Sequence, residues 1–482
     1  MKKVFVKNLI LFQALNLIIK PLWIFMIDLE AQNLLGPEYS DYYVVFNLTV
    51  LLNIVLDIGI QNFNNAGVAA DEQFFKSNFK SISVLKFILA LLYLIIVIPA
   101  GIYGGLALNL LLVVAVNQVL TSFVLFLRTN INGLHHFTLD GLLSVSDKFF
   151  GILICLAFFL SGKISAMWFA IAQLTASGIT LFIALFYNFK FYQSIKNIVG
   201  RIEKFKIQEL LKKSIPYALL FTLMGMYTRG DVLMMKWLLK DSNFHCGLYA
   251  QSYRLLDAAA MFSMLFAGLL LPMFSRMIGK NEDVRPLTHL ATTILLPVAI
   301  STALGAWFFG EDILYVMYDV YKKGGIDLLM QGNKVFTNIL TCFIPMSLTF
   351  IFSTLLTAKG DLRFLNWSAL SALVCNFTIN FWLIPDFASF GASISSLTTQ
   401  SLFALLCIIR CFKLFGFKIN WKDVFKFIAF SISLFGVFFL IKGIGNLWIE
   451  LLIFASASAL LSFLIGIFNF NQILQTFDKR RQ

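Results

Sequence analysis

From residue 9 to residue 469 this 482-residue chain is a succession of apolar runs, each near the roughly 20 residues that carry an α-helix across the hydrocarbon core of a bilayer. Fourteen can be read, at 9–29, 43–66, 81–99, 105–127, 143–160, 165–187, 215–239, 248–273, 289–309, 335–357, 364–385, 389–411, 423–442 and 447–469. Lipid offers no hydrogen bonds to a backbone, so runs of this length and number demand helices. The composition agrees: 59% apolar and 13% charged, against about 45–50% and about 25% in a soluble domain. In water so much apolar material would leave large patches uncovered. The connections leave no room for a folded soluble domain. The expectation is an all-α polytopic membrane protein with about fourteen transmembrane helices.

The formal net charge of +13, from 38 Lys and Arg against 25 Asp and Glu, would suggest an anionic partner in a soluble protein. Here most of it reads as orientation. With the N-terminus inside, alternate connections, counted together with cations near the span ends that adjoin them, collect 28 cations on one side, while the other holds Lys163, Lys240, Lys322, Lys323, Lys334 and Lys442. Positively charged loops stay cytoplasmic, so both termini are expected there. Four cations remain inside spans. Met1 to Lys7 is followed by an apolar run long enough to span, without a small-residue cleavage site, so the first helix is expected to stay.

The most basic connection separates six spans from eight, and a six-span unit returns the chain to its starting side, so a second copy would repeat in parallel about an axis along the membrane normal. The expected organisation is a first lobe of spans one to six in residues 1–190 and a basic cytoplasmic linker in 191–214. A second lobe of spans seven to twelve would occupy 215–412, with an appended pair of spans and a basic cytoplasmic tail in 413–482. A weak echo supports the repeat: Tyr42 and Tyr43 precede a run holding Asp57, and Gly247, Leu248 and Tyr249 precede one holding Arg254 and Asp257.

A charge at mid-bilayer costs at least about 2.5–3.5 kcal/mol. Lys20, Asp57, Arg229, Asp231, Lys236, Arg254 and Asp257 would together cost on the order of 20 kcal/mol against lipid, so most must face a cavity or one another. Gln13, Asn16, Lys20 and Trp23 recur at helical spacing as one polar stripe on the first span, beside Pro21, and Asn53, Asp57, Gln61 and Asn64 do the same on the second. The second stripe fits either a water-lined wall or interhelical glue. Arg254 and Asp257, at i and i+3, can form a helix-pinning ion pair or meet substrate. Lys236 is placed to snorkel to the outer interface, and Asp231 to neutralise a nearby cation. Lys20 and Arg229, both mid-span, are the foremost functional candidates.

Other chemistry finds little support. No Walker A or GxGxxG loop occurs, and four histidines without an HExxH set offer no metal site. The six cysteines form no CxxC pair and read as packing. Ser347, Thr349, Ser395 and Thr398 likewise read as packing. Gly310 to Lys334 reads as an outward, interfacial amphipathic connection. Glu38 and Asp41 in the first outward loop could serve a glycosyltransferase, but loop acids are usually only solvated.

Three stretches resemble a bacterial polysaccharide flippase of the O-antigen type, within the multidrug/oligosaccharidyl-lipid/polysaccharide exporter superfamily. One is Arg229-Gly230-Asp231 followed by Gly247-Leu248-Tyr249 and Tyr253-Arg254 through Asp257; another is Ala358-Lys359-Gly360-Asp361 with Asn376, Asn380, Leu383-Ile384-Pro385 and Gly391-Ala392. The third is Leu35-Gly36-Pro37-Glu38-Tyr39 with Leu56-Asp57 and Gly59. Gln400 departs from the pattern, standing where Glu is more usual. The resemblance implies a two-lobed transporter, not an enzyme, with a MATE-like fold, a central cavity, alternating access and no cofactor. Its substrate would be an undecaprenyl-pyrophosphate-linked oligosaccharide, an O-antigen, capsule or exopolysaccharide unit, turned from the inner to the outer leaflet of the bacterial cytoplasmic (inner) membrane. In that reading Arg229, Lys20 and Arg254 hold the pyrophosphate, with Lys20 and Arg229 facing each other across the lobes. Asp57, Asp231, Asp257, Asn53, Gln13 and Asn16 line the cavity or carry a coupling H+ or Na+. The alternatives are a peptidoglycan lipid-precursor flippase, an ion-coupled multidrug exporter and, more remotely, a membrane glycosyltransferase or polymerase.

Overall fold

The computed structural model describes residues 15, 16, 18–163, 165–195 and 207–468, with only the backbone at 62, 63, 66, 70 and 207–214. Every regular element among them is helical. The first apolar run, including Gln13, begins outside the described residues. It continues as helix to a π-helical turn, Trp23–Asp28, just after Pro21, whose missing N–H removes a rung of the backbone ladder. The short α1 (Leu29–Leu35) stops at Gly36, where φ is +53°, and Pro37 opens α2 (Pro37–Leu51) at the one helical position where its missing N–H leaves nothing unsatisfied.

α2 passes into a 3-10 turn, Leu52–Leu56, and the helix then breaks: Ile58 and Gly59 take φ of +35° and +84° before α3 (Ile60–Ala70) resumes. α4 (Glu72–Tyr103), α5 (Leu108–Gly133), α6 (Phe137–Leu160), α7 (Ala166–Ser194), α8 (Ile207–Leu238) and α9 (Ser242–Gly279) follow. Then come α10 (Arg285–Met317), α11 (Asp319–Thr341), α12 (Phe343–Lys359), α13 (Leu362–Phe415), α14 (Trp421–Ile441) and α15 (Leu447–Leu464).

Among the described residues eleven helices or continuous helical stretches are long and apolar enough to cross a membrane. The 54 residues of α13 would extend about 80 Å if straight, far beyond a bilayer core of about 30 Å. Ala388, at φ +47° just past Pro385, divides it into the two runs read at 364–385 and 389–411. The seventh run lies in α8. The connection expected over Gly310 to Lys334 is instead helix: α10 continues to Met317, α11 starts at Asp319, and Leu314 and Tyr318 are buried. Leu314, Tyr318 and Tyr321 turn into the protein, while Tyr315, Val316, Ile326 and Met330 stay exposed.

Contacts divide the chain into two compact units that meet in sequence at Gly247 and Leu248, and α8 groups with the first through its packing on α2. Residues 196–206 of the basic linker lie outside the described residues. In the first unit α5 packs on α3 and α7, around a core that includes Ile82, Phe126, Ile131 and Leu143. In the second, the appended pair α14 and α15 seats on α10, where the rings of Phe308 and Phe438 stack at 4.3 Å and Phe454 closes against Phe309 at 5.6 Å. Five of the six cysteines are buried, and none of the six is in a disulfide.

Candidate functional site

The polar stripe of the first span lies along the middle of α6. Asn16 Nδ2 donates to Ser144 Oγ at 2.9 Å. The charges acting on half-buried Lys20 are those of Asp147, Arg128 and Lys148, with Asp147 first among them. Trp23 sits against Gly151, where a Cβ would come within 2.7 Å of its Cζ3, and beneath the Lys148 ammonium, 4.9 Å from the ring centroid. Residues 16, 20 and 23 therefore meet 144, 147–148 and 151 in step, the pattern of two helices running side by side in the same direction.

The second stripe forms a matching seam with α5. Asn53 Nδ2 donates to Gln118 Oε1 at 3.0 Å, and Asn64 Nδ2 donates to Thr129 Oγ1 at 2.7 Å. Between them, at the broken helix, Lys86 of α4 is 1% exposed and donates to the Leu56 carbonyl and to Ser122 Oγ, each at 2.6 Å. Its ammonium is 3.5 Å from Asp57 Oδ1, which also receives the Gln61 N–H at 3.3 Å, so Asp57 terminates the break from below while Lys86 holds it from the side. Of the two open readings of this stripe, the hydrogen bonds of Asn53 and Asn64 fit interhelical glue.

These seams flank a cavity of about 120 Å³ lined by Phe46 and Val50 of α2, Asn117, Gln118 and Thr121 of α5, Asp147 and Lys148 of α6, and Gln173 and Ser177 of α7. The contributions of α5 and α6 come from near the middle of each helix, and those of α7 from its first half. Asp147 and Lys148 pair at 3.4 Å, Arg128 pairs with Asp140 at 2.7 Å, and Gln173 is hydrogen-bonded to Tyr42 at 2.8 Å.

Lys86 and Lys148 correct the sequence reading, which counts both among cytoplasmic loop charges. Hydropathy starts the third span at 81, but α4 begins at Glu72, so Lys86 lies fourteen residues into a helix. The removal of two cations leaves the asymmetry between the two sides in place. Sequence reasoning also misses Asp147, Arg128, Asp140 and Asp28. Asp28, 1% exposed, accepts from Tyr39 Oη at 2.9 Å and from Gln32 Nε2 at 3.1 Å. The signal that could have found the α6 charges is an adjacent Asp147-Lys148 pair within an apolar run.

Other sequence candidates fall elsewhere. Arg229 lies on α8, as does Asp231, which is fully buried. Arg254 and Asp257 lie in the second unit, their charged groups 4.0 Å apart. Lys236, placed at the outer interface by sequence, donates to Asn243 Oδ1 at 2.6 Å and reaches Asp41 at 3.4 Å. Glu38, read as merely solvated, accepts the Ala166 N–H at 3.1 Å and so tethers α2 to the start of α7. Ser347 bonds Ser263 at 2.9 Å, and Asn376 donates to Ser395 Oγ at 3.2 Å, both packing roles within the second unit.

A family model described as polysaccharide biosynthesis protein matches residues 5–278. No curated protein matches the chain in sequence. Among solved structures, a lipid II flippase MurJ in an inward closed conformation superposes with a TM-score of 0.72 at 15% identity, covering 95% of this chain and 98% of its own. An inward-facing multidrug resistance MATE family transporter of the MOP superfamily gives 0.62 at 14% identity, with 83% and 96% covered. The Vibrio cholerae MATE transporter VcmN, in its bent form, gives 0.53 at 15%, with 84% and 92% covered. At these identities the likeness is one of fold, and the MurJ match extends over the appended helix pair as well. With more than half its length under one family model, the chain belongs to the polysaccharide biosynthesis protein family.

Proposed function

We propose that this protein is a flippase that turns an undecaprenyl-pyrophosphate-linked oligosaccharide from the inner to the outer leaflet of the bacterial cytoplasmic membrane by alternating access, with both termini cytoplasmic. The observation that carries this reading is the seam at Lys20. There Lys20 lies within electrostatic reach of Asp147 and Lys148, both near the middle of α6, and of Arg128 toward the end of α5. Charges in such places are expensive unless they serve a path for polar cargo. A lipid-linked sugar needs that path only for its head, since its polyprenyl tail can remain in the bilayer. Cations at mid-depth take the place of the water around the pyrophosphate. Lys20 supplies one, Arg229 and Arg254 add guanidinium forks suited to phosphate oxygens, and Asp57, Asp231 and Asp257 are the acids through which an H+ or Na+ gradient would act.

A peptidoglycan-precursor flippase is the second reading, favoured by the near-complete coverage of the MurJ structure. Both readings share the pyrophosphate and differ in the sugar. The test is a deletion strain in which leaflet-resolved labelling follows lipid-linked oligosaccharide. The proposal expects that lipid to accumulate on the inner leaflet while peptidoglycan synthesis continues. Arrested peptidoglycan synthesis would move the assignment to the precursor flippase. Normal glycan with heightened drug sensitivity would move it to a multidrug exporter.

A further inference from the structure

We propose that the cavity between α2, α5, α6 and α7 is a binding subsite for a neutral sugar ring of the lipid-linked head, separate from the cations that meet its pyrophosphate. This rests on the flippase reading and specifies which part of the substrate the first unit selects.

The lining is polar but close to neutral: three amides (Asn117, Gln118, Gln173), two hydroxyls (Thr121, Ser177) and one acid and one base that already pair at 3.4 Å. A bare pyrophosphate would find the cavity's single ammonium shared with an adjacent carboxylate and stacked on Trp23. A sugar hydroxyl both donates and accepts, which is what a ring of amides and hydroxyls satisfies. Phe46 adds an aromatic surface of the kind that packs on the apolar face of a pyranose.

Two side-chain oxygens beside this space are buried with no hydrogen-bond partner among the described residues: Asn117 Oδ1, on a lining residue, and Asn53 Oδ1, on the residue bonded to Gln118. An unpaired buried acceptor is costly, and here the missing partner has room to enter. The space is large enough for ordered water, and hydroxyls entering from a sugar can replace that water group for group. Lys20 lies within electrostatic reach of the Asp147–Lys148 pair, so a head with its ring in the cavity would direct its phosphates toward it.

Asn117 is the residue to change, because Leu is close to it in size and its side-chain oxygen holds no described group in place. The experiment compares purified full-length wild type, Asn117→Leu and the isosteric Thr121→Val in proteoliposomes. It follows two probes, a polyprenyl pyrophosphate bearing one hexose and the same lipid without sugar. Expected is a loss of about tenfold in flipping of the hexose-bearing lipid by Asn117→Leu, the equivalent of one or two hydrogen bonds, with sugar-free flipping unchanged. Thr121→Val should shift in the same direction. Equal losses on both probes, or none on either, would overturn the subsite while leaving the flippase reading intact. A wild type that moves neither probe would overturn both.

Discussion

Lys86 Nζ and Asp57 Oδ1 face each other at 3.5 Å across the break in the second span, and the ammonium also takes the Leu56 carbonyl at the point where the helix breaks. A helix that unwinds in lipid must find replacement partners for its freed backbone groups. Lys86 supplies them to the carbonyl side and Asp57 to the amide side, so one ion pair makes the break between Leu52–Leu56 and α3 tolerable.

Removing only one partner should therefore be worse than removing both. Lys86→Met removes the counter-charge of the half-buried Asp57 carboxylate and leaves the Leu56 carbonyl only the longer bond from Ser122 Oγ, at 3.3 Å, and should destabilise by about 1–3 kcal/mol, while the Asp57→Asn/Lys86→Met double variant should recover much of that loss. Unfolding in detergent, followed by the double-mutant cycle, measures it. Additive losses would show that the two residues act independently.

Trp23 depends on the absence of a side chain at Gly151. Gly151→Leu should drive the indole from its stack on Phe169, now at 5.9 Å between centroids, and disturb the register that sets Lys20 beside Asp147. Expected is a large loss of surface glycan with normal membrane insertion, partly relieved by pairing the change with Trp23→Leu. Unaltered glycan in Gly151→Leu would separate the indole's position from transport.

In the second unit, a Cβ on Gly391 would come within 2.5 Å of the Leu383 carbonyl oxygen. Backbone cannot give way as a flexible side chain can, so Gly391→Ala should destabilise the second unit by about 1–3 kcal/mol, read as a lower detergent unfolding midpoint. The Leu-Ile-Pro and Gly-Ala pattern of the sequence is in this structure the packing of one bent helix on itself.

The appended pair is held by aromatic packing. Phe438 meets both Phe308 and Phe309, and Phe438→Ala should destabilise by about 3–5 kcal/mol if α14 unfolds together with α10. A midpoint unchanged from wild type would mean the pair is peripheral to that unit's stability.

Much of this architecture is legible in the sequence because lipid sets helix length: each run near twenty residues that falls within the description corresponds to helix, and the polar stripes of the first two spans have real partners. Charges near expected span ends are less legible. Lys86 looks terminal because the polar first turns of α4, with Lys76 and Lys80, read as a loop; hydropathy cannot see that an amphipathic stretch continues the same helix. Lys148 is lost to the same edge rule despite lying mid-helix. Partners are not legible at all: that Lys20 would meet the charges of α6, and that Lys236 would reach Asp41, follows from packing between segments more than a hundred residues apart.

In the proposed flippase, cations inside the membrane near Lys20 carry a pyrophosphate-linked head. The most direct measurement is the rate at which purified wild type, Lys20→Ala and Lys20→Arg move an undecaprenyl-pyrophosphate-linked oligosaccharide across proteoliposomes, with unfolding midpoints to confirm that all three are folded. Expected are movement by wild type, loss of at least about tenfold in Lys20→Ala, as befits a lost charge-assisted contact, and substantial retention in Lys20→Arg. A folded Lys20→Ala protein that moves this lipid as fast as wild type would contradict that role.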